Sequence, residues 1–436
     1  MIHSNETILP DFETISNEIE HEFERDMNLW YPRTFDPRGG FHTAFGRDWN
    51  LIPYETKGIV HQSRMIWTAS EVVRHRPAWT EKLLPLIRHG TKFLHEKMWD
   101  AKWGGFFWEI KEDGTPIEEN AFMKHAYGMA FAIYGLAAAY RVTKNENDKN
   151  LAQETFFWLD RHAHDSRYGG YYEEYYRNGV LMTEPTKEYP EIIQGKVREP
   201  LGCKSMNSHI HLLEALTVLY EIWQDETLRV RLEELVQIIK NRIITWPGAM
   251  RQFFKADWTP AATYVSFGHD VETAYLLTET AAALERPNDT EIWRIGKSLV
   301  DHSLQYGWDK KYGGFYYDGA TFGKPAVLSK FWWVQAEGLN TLLLMHDKFG
   351  SDEINYYRYF IEQWNFIRDY IIDTEYGGWF AVTEADGSNP QGLSKILNVQ
   401  PEGLEKSHLW KASYHEVRAL LNVARRLENL KISQHL

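Results

Sequence analysis

The chain has 436 residues, with 48 Lys and Arg against 61 Asp and Glu and a formal net charge of −13. That balance excludes nucleic acid and anionic membrane as partners, since both reward clustered cations. One cysteine, Cys203, excludes an intrachain disulfide. The longest weakly polar run, 129–140, is too short for a membrane span. Residues 1–10 lack a basic segment followed by an apolar one, so the expected setting is cytoplasmic, without a membrane.

In chain order, one phrase recurs: an aspartate, a short spacer, Gly-Gly and an aromatic. It stands as Asp36-Pro-Arg-Gly-Gly-Phe41, Asp100-Ala-Lys-Trp-Gly-Gly-Phe106, Asp165-Ser-Arg-Tyr-Gly-Gly-Tyr171, Asp309-Lys-Lys-Tyr-Gly-Gly-Phe315 and Asp373-Thr-Glu-Tyr-Gly-Gly-Trp379. The gap between the third and fourth copies is close to two repeats, and Trp246-Pro-Gly248 with Phe253-Phe254 occupies the missing place. Six units follow, each of roughly 65 to 72 residues. Each runs from an amphipathic helix through the glycine pair to a short hairpin and a second helix. The hairpin turns are predicted at Asp113-Gly114, Asn178-Gly179, Asp318-Gly319 and Asp386-Gly387. This grammar predicts an all-α (α/α)6 barrel, residues 1–436 as one domain, with β-hairpins in the loops at one end. The glycine pairs are scaffold, supplying positive φ where a helix ends.

The six post-hairpin helices should start at one end of the barrel. They open as His61-Gln-Ser-Arg64, Lys124-His-Ala-Tyr127, Asn207-Ser-His-Ile-His211, His269-Asp-Val-Glu272, Trp332-Trp-Val-Gln-Ala-Glu337 and Tyr414-His-Glu-Val-Arg418. A solvent-facing ring would favour Lys, Glu, Ser and Asp; this one collects residues that bind and protonate a polar ligand, with His211, His269 and His415 expected at matched phases in one mouth. The third helix shows Leu212, Leu216, Leu219 and Trp223 at helical spacing, with Ser205 or Asn207 as its cap. His209 and His211 are roughly 200° apart on it and cannot share one metal ion; His209 reads as structural.

His211, His269 and His415 carry no metal-ligand spacing, and His162, His164 and Cys203 supply none, so no catalytic metal is expected. Nucleotide loops, nucleophile elbows and paired CxxC motifs are absent. A histidine at a helix N-terminus is favoured in its neutral form and can act as a base. Two such groups on opposite faces of one carbon can exchange a proton with inversion, if a cation such as Arg64 steadies the enediolate. Glu272 and Glu337 would orient a histidine or bind a hydroxyl, and Trp332, Trp333 and Trp410 are candidate stacking walls. A competing reading makes Asp270, Glu272 and Glu337 the carboxylates of a glycoside hydrolase, which leaves the histidines unexplained.

Lys204-Ser-Met-Asn-Ser-His-Ile-His211, Ser266-Phe-Gly-His-Asp-Val-Glu272, Phe331-Trp-Trp-Val-Gln-Ala-Glu337 and Trp410-Lys-Ala-Ser-Tyr-His415 resemble, in order and spacing, the N-acylglucosamine 2-epimerase superfamily. The resemblance covers nearly the whole chain and is strongest to its cellobiose 2-epimerase and mannose 2-epimerase branch. It implies cofactor-free epimerisation of an aldose at C2. It also makes His269 and His415 the acid/base pair, gives His211 to ring opening or the substrate oxygens, and lines the sugar site with Arg64, Asn207, Tyr127, Glu272 and Trp410. The chain departs from that branch at Lys411-Ala-Ser-Tyr414 and at Val334. Two long mouth loops, 178–203 and 389–409, would close the subsite of a second sugar, which favours free D-mannose and D-glucose over cellobiose or mannobiose. An aldose–ketose isomerase and an N-acylglucosamine 2-epimerase are the alternatives within the superfamily. The expected partner is a small sugar, on a monomer or weak homodimer.

Overall fold

The computed structural model describes residues 10–117, 124–184, 201–262, 264–390 and 403–434, and the backbone of the strand pair Ile192–Ile193 and Lys196–Val197. Twelve α-helices are present among these residues: α1 (Phe12–Trp30), α2 (Ile59–His75), α3 (Thr80–Phe93), α4 (Ala126–Thr143), α5 (Glu146–His162), α6 (Met206–Ile222), α7 (Glu226–Ile238), α8 (Phe267–Ala283), α9 (Thr290–Tyr306), α10 (Trp332–Phe349), α11 (Tyr356–Phe366) and α12 (Tyr414–Gln434). Even-numbered helices form the inner ring, each packed on the next, and α12 returns to α2 to close it. Each inner helix through α10 packs against the odd-numbered helix that follows it, while α12 takes α1 from the other end of the chain. The (α/α)6 barrel expected from the repeat is therefore the observed architecture. Inner helices are buried almost all round, whereas α3, α5, α7, α9 and α11 bury one face.

The hairpins do more than turn the chain. The strand before each inner helix pairs, antiparallel, with the hairpin of the next unit: Thr56–Gly58 with Glu109–Lys111, Lys124–His125 with Glu174–Tyr175, Lys204–Ser205 with Phe253–Phe254, Tyr264–Ser266 with Asp318–Ala320, and Lys330–Phe331 with Val382–Thr383. A bridge between Phe45 and Ser407 joins the sixth unit to the first. These pairings stitch one end of the barrel into a ring that holds the inner-helix starts together.

Both glycines of all five pairs have positive φ, as expected of scaffold. The second glycine is also required sterically: a Cβ on Gly170 would lie 2.5 Å from Trp258 and 2.6 Å from His209 Nε2. The predicted turn at Asp318-Gly319 is a correction. Gly319 lies within the strand Asp318–Ala320, and the positive-φ residue of that loop is Gly323. Gly319 is small for a different reason, since its Cβ would meet Phe267 at 3.0 Å and Pro325 at 3.1 Å. Within the mouth loops 178–203 and 389–409, residues 185–191, 194–195, 198–200 and 391–402 lie outside the described residues.

The phrase aspartate has a partner that sequence reading missed. Lys57, Lys124, Lys204, Lys330 and Lys406 place Nζ 2.6, 3.2, 2.7, 2.9 and 2.8 Å from Asp36, Asp100, Asp165, Asp309 and Asp373. The lysine side chains are buried, and four of them also donate to a phrase glycine carbonyl. The first four pairs lock a glycine loop to the strand that launches its inner helix, and Lys406 ties the fifth to the segment ahead of α12. Breaking one by removing a single partner would strand a buried charge.

Candidate active site

In units one to five, the inner-helix residue in the fourth helical position takes the backbone N–H that follows the glycine pair or its substitute. Gln62, Met129, His209, Asp270 and Gln335 receive it from Phe41, Phe106, Tyr171, Met250 and Phe315. His209 thus has a scaffold role: Nε2 accepts from Tyr171 N at 3.0 Å, while Nδ1 lies 2.6 Å from Ser205 O, which fixes its tautomer. Asp270, offered above as a hydrolase carboxylate, is likewise spent on the scaffold and does not line the cavity.

Two residues beyond each anchor stand Arg64, Phe131, His211, Glu272 and Glu337, and the residue before it is His61, Gly128, Ser208, His269 or Val334. Grouping His211 with His269 and His415 at one phase therefore needs correction. His269 shares its phase with His61, and His211 lies three residues further along, level with Arg64 and Glu272. The sixth unit differs. Helix α12 starts eight residues after Lys406, where α2, α4, α6 and α10 start two after their lysines. The inserted residues form a strap over the barrel mouth, pinned by Ser407 Oγ donating to Thr43 O at 2.8 Å and by Lys411 Nζ, 3.1 Å from Glu416. His61 Nε2 lies 3.2 Å from Ser407 Oγ, so the strap covers it and keeps it from the cavity.

The inner-helix starts enclose a cavity of about 330 Å³. Arg64, Tyr127, Asn207, His211, His269, Glu272, Trp332, Trp333, Trp410 and His415 all line it. Glu337 stands behind it, 2.7 Å from His415 Nδ1. Sequence reading missed the strap's His408, Gly403 ahead of Lys406, the hairpin and strand residues Tyr317, Phe331, Ala381 and Val382, and two buried supports, Glu214 and Arg418. Nothing local marks the hairpin residues; Glu214, three residues after His211, was the available clue.

Each histidine has its Nδ1 engaged. Glu214 Oε2 is 2.9 Å from His211, Glu337 Oε1 is 2.7 Å from His415, and Ser266 Oγ, which caps α8, is 2.7 Å from His269. A carboxylate on Nδ1 accepts its proton and leaves a lone pair on Nε2. A hydroxyl, as on His269, serves either tautomer. Arg418 ties these supports together, donating through Nη1 to Glu214 and through Nη2 to Glu337 at 2.6 Å and to Glu272. Tyr414 Oη also donates to Glu214, at 2.5 Å.

Burial dominates the proton equilibria. It pushes His269 down to about 3, helped by His211 and Arg64. His415 falls well below the ordinary range through burial, then Arg64 and Arg418. Both imidazoles are therefore neutral at pH 7, by desolvation before any helix dipole. Burial and repulsion from Glu337 raise Glu272 to about 7, and burial raises Glu337 to about 7 against the pull of Arg418. Glu214 goes the other way: burial opposes ionisation, but Arg418 and His211 hold it down at about 2.

Arg64 donates through Nη1 to Trp410 O at 2.8 Å and through Nη2 to Tyr127 Oη at 3.0 Å, over the ring of Phe131 at 4.4 Å. Among the described residues it has no carboxylate partner, and its Nε is unpaired. Asn207 Oδ1, Glu272 Oε2, Glu337 Oε2 and Trp332 Nε1 are also buried without partners, a set suited to a ligand rich in hydroxyls. Glu272, Glu337 and His415 bring ligand atoms within 4.8 Å of one another, close enough for a cation. Arg418 already supplies positive charge there, and both glutamates converge on its Nη2 instead of facing each other across a scissile bond.

Residues 39–395 match the N-acylglucosamine 2-epimerase (GlcNAc 2-epimerase) family. A cellobiose 2-epimerase of Bacteroides fragilis is 28% identical over 94% of this chain and 99% of its own. A D-mannose isomerase of Marinomonas mediterranea is 24% identical over 92% of this chain and 97% of its own. The solved cellobiose 2-epimerase of Spirochaeta thermophila superposes with a TM-score of 0.82 at 29% identity, over 98% of this chain and 100% of its own. With a repeat, a barrel and a histidine-lined mouth in agreement, the chain belongs to the N-acylglucosamine 2-epimerase family.

Proposed function

We propose that the protein is a cofactor-free sugar 2-epimerase that interconverts glucose- and mannose-configured aldoses, with free D-mannose and D-glucose as its substrates. The observation that carries this reading is the pair His269 and His415: two neutral imidazoles on one cavity, both packed against Trp333, with ring centroids 4.6 and 5.8 Å from it. Each has Nδ1 engaged by its support and, among the described residues, Nε2 without a hydrogen-bond partner. The pyranose opens with help from His211. One histidine of the pair takes the C2 proton, the electron pair passes into an enediolate, and Arg64 with His211 holds its oxygens. Rotation about C2–C3 presents the other face, and the second histidine returns a proton to C2. Reversible chemistry requires each histidine to serve as acid in one direction and base in the other. The serine hydroxyl on His269 and the glutamate on His415 permit that.

The family, and relatives that are cellobiose 2-epimerases, support epimerisation. The strap over the mouth supports a small substrate, whereas those relatives favour a second reading, the reducing-end sugar of a β-1,4 disaccharide. Incubation with mannose, cellobiose, mannobiose and N-acetylglucosamine in deuterated water, followed by chromatography and location of the label, separates the readings. Deuterium at C2 of an epimeric aldose is expected. Ketose as the main product refutes epimerisation, and His269→Ala or His415→Ala with retained exchange at C2 refutes the residue assignment.

A further inference from the structure

We propose that His408, on the strap peculiar to the sixth unit, is a specificity residue that donates a hydrogen bond from Nε2–H to a sugar oxygen; the proposal rests on the sugar-site reading above. Three observations meet here. His408 lines the cavity. Its Nδ1 accepts the backbone N–H of Trp410 at 3.2 Å. Its Nε2 is buried and has no partner among the described residues.

The first hydrogen bond decides the chemistry. An imidazole whose Nδ1 lone pair is occupied by a backbone N–H carries its single proton on Nε2 when neutral. Burial, then Lys411 and Arg64, pushes this group down to about 3 and keeps it neutral. His408 therefore offers a donor and has no spare lone pair, in contrast to His211 and His415, whose Nδ1 protons go to carboxylates. It is unsuited to act as a base without giving up its grip on Trp410. Its position is fixed as well: its ring meets Trp332 edge-on at 5.7 Å, and Arg64 holds the carbonyl of Trp410 two residues on. The strap thus couples the cation proposed for the enediolate to a neutral donor on the same wall. A donor of this kind recognises a hydroxyl or ring oxygen and gains nothing from a cationic group.

The test uses the full-length enzyme with His408→Phe, which keeps a planar ring without the N–H, and His408→Gln, which restores an N–H donor. Steady-state kinetics with mannose should show KM raised about three- to tenfold in H408F, with the pH profile of kcat unchanged, and recovery to within about twofold in H408Q. If H408F does not fold, His408→Ala makes the same comparison. An unchanged KM in the donor-free variant overturns the proposal, as does a loss of kcat with a displaced pH profile, which would mark His408 as an acid or base. Failure of the unaltered enzyme to label or convert any of the sugars is a different result, and it refutes the functional reading instead.

Discussion

Glu337→Gln tests the support behind His415. In the native site Glu337 Oε1 lies 2.7 Å from His415 Nδ1 and 2.6 Å from Arg418 Nη2. In the proposed mechanism a carboxylate there stabilises the imidazolium that forms when His415 takes a proton; an amide keeps the geometry and removes the charge. Losing one charge-assisted hydrogen bond of about 1.5–3 kcal/mol in the transition state lowers kcat by about 10- to 100-fold. The pH dependence carries the sharper test. Burial raises Glu337 to about 7, so the group is ionised and supportive above that value and protonated below it. The native enzyme should lose activity on the acid side of about pH 7, by up to about tenfold per unit. E337Q should flatten that limb, since removing Glu337 also relieves the repulsion that helps raise Glu272. Initial rates of mannose epimerisation from pH 5 to 9 measure both. An acid limb that persists at the same pH in E337Q, or a native enzyme with a flat profile from 5 to 7, refutes the argument.

Lys330→Met leaves Asp309 buried and unpaired and should cost about 3–5 kcal/mol in denaturant unfolding; adding Asp309→Asn should recover a large part, and a cost no smaller in the double variant would refute the pairing argument. His209→Gln should be close to neutral for stability and activity, because Gln62 and Gln335 do the same work in other units, whereas His209→Ala should cost about 1–3 kcal/mol for the stranded Tyr171 N–H; equal losses in both would remove His209 from the scaffold. Asp26 has both carboxylate oxygens buried without partners among the described residues, and burial, then Glu416 and Glu22, raises it well above 3.8. A raised folded-state value means stability is lost as pH climbs from about 4 toward that value, so Asp26→Asn should raise the melting temperature at pH 8, with a gain that shrinks toward pH 5. A gain independent of pH would refute the assignment.

The barrel was legible in the sequence because the phrase of Asp, Gly-Gly and an aromatic must recur wherever a helix end turns into a hairpin, and positive φ admits little but glycine there. The cavity residues were legible because equivalent units put their inner helices at one end. Less visible was anything that depends on a pairing between units. The lysines five residues before Gln62, Met129, His209 and Gln335 read as ordinary surface charges until the fold buries them on Asp36, Asp100, Asp165 and Asp309. Arg418 stood in the reading as the end of a helix start. Its importance comes from three glutamates on three other helices, α6, α8 and α10, and no local spacing announces that. The assignment of one phase to His211, His269 and His415 failed for the same reason: the anchor bond that defines the phase joins a side chain to a distant backbone N–H.

A sixfold scaffold has to be made asymmetric before it can hold a sugar, and the anchor positions show how this barrel does so. Gln62, Met129, His209, Asp270 and Gln335 differ in chemistry, yet each accepts the same kind of backbone N–H. The fold asks that position only for an acceptor of suitable reach. The neighbours one residue before and two after it are therefore free to diverge, because the anchor already sets the helix's rotation. They have become His269 and Glu272 in one unit, Arg64 in another, and His211 and Glu337 in two more. The sixth unit breaks the pattern with the strap, which hides His61, the phase-mate of His269, and brings in His408 and Trp410. One of two equivalent histidines is thereby withdrawn and its partner left facing the cavity beside His415. On this view the proposed proton-transfer pair is selected as much by what the strap covers as by what the helices present.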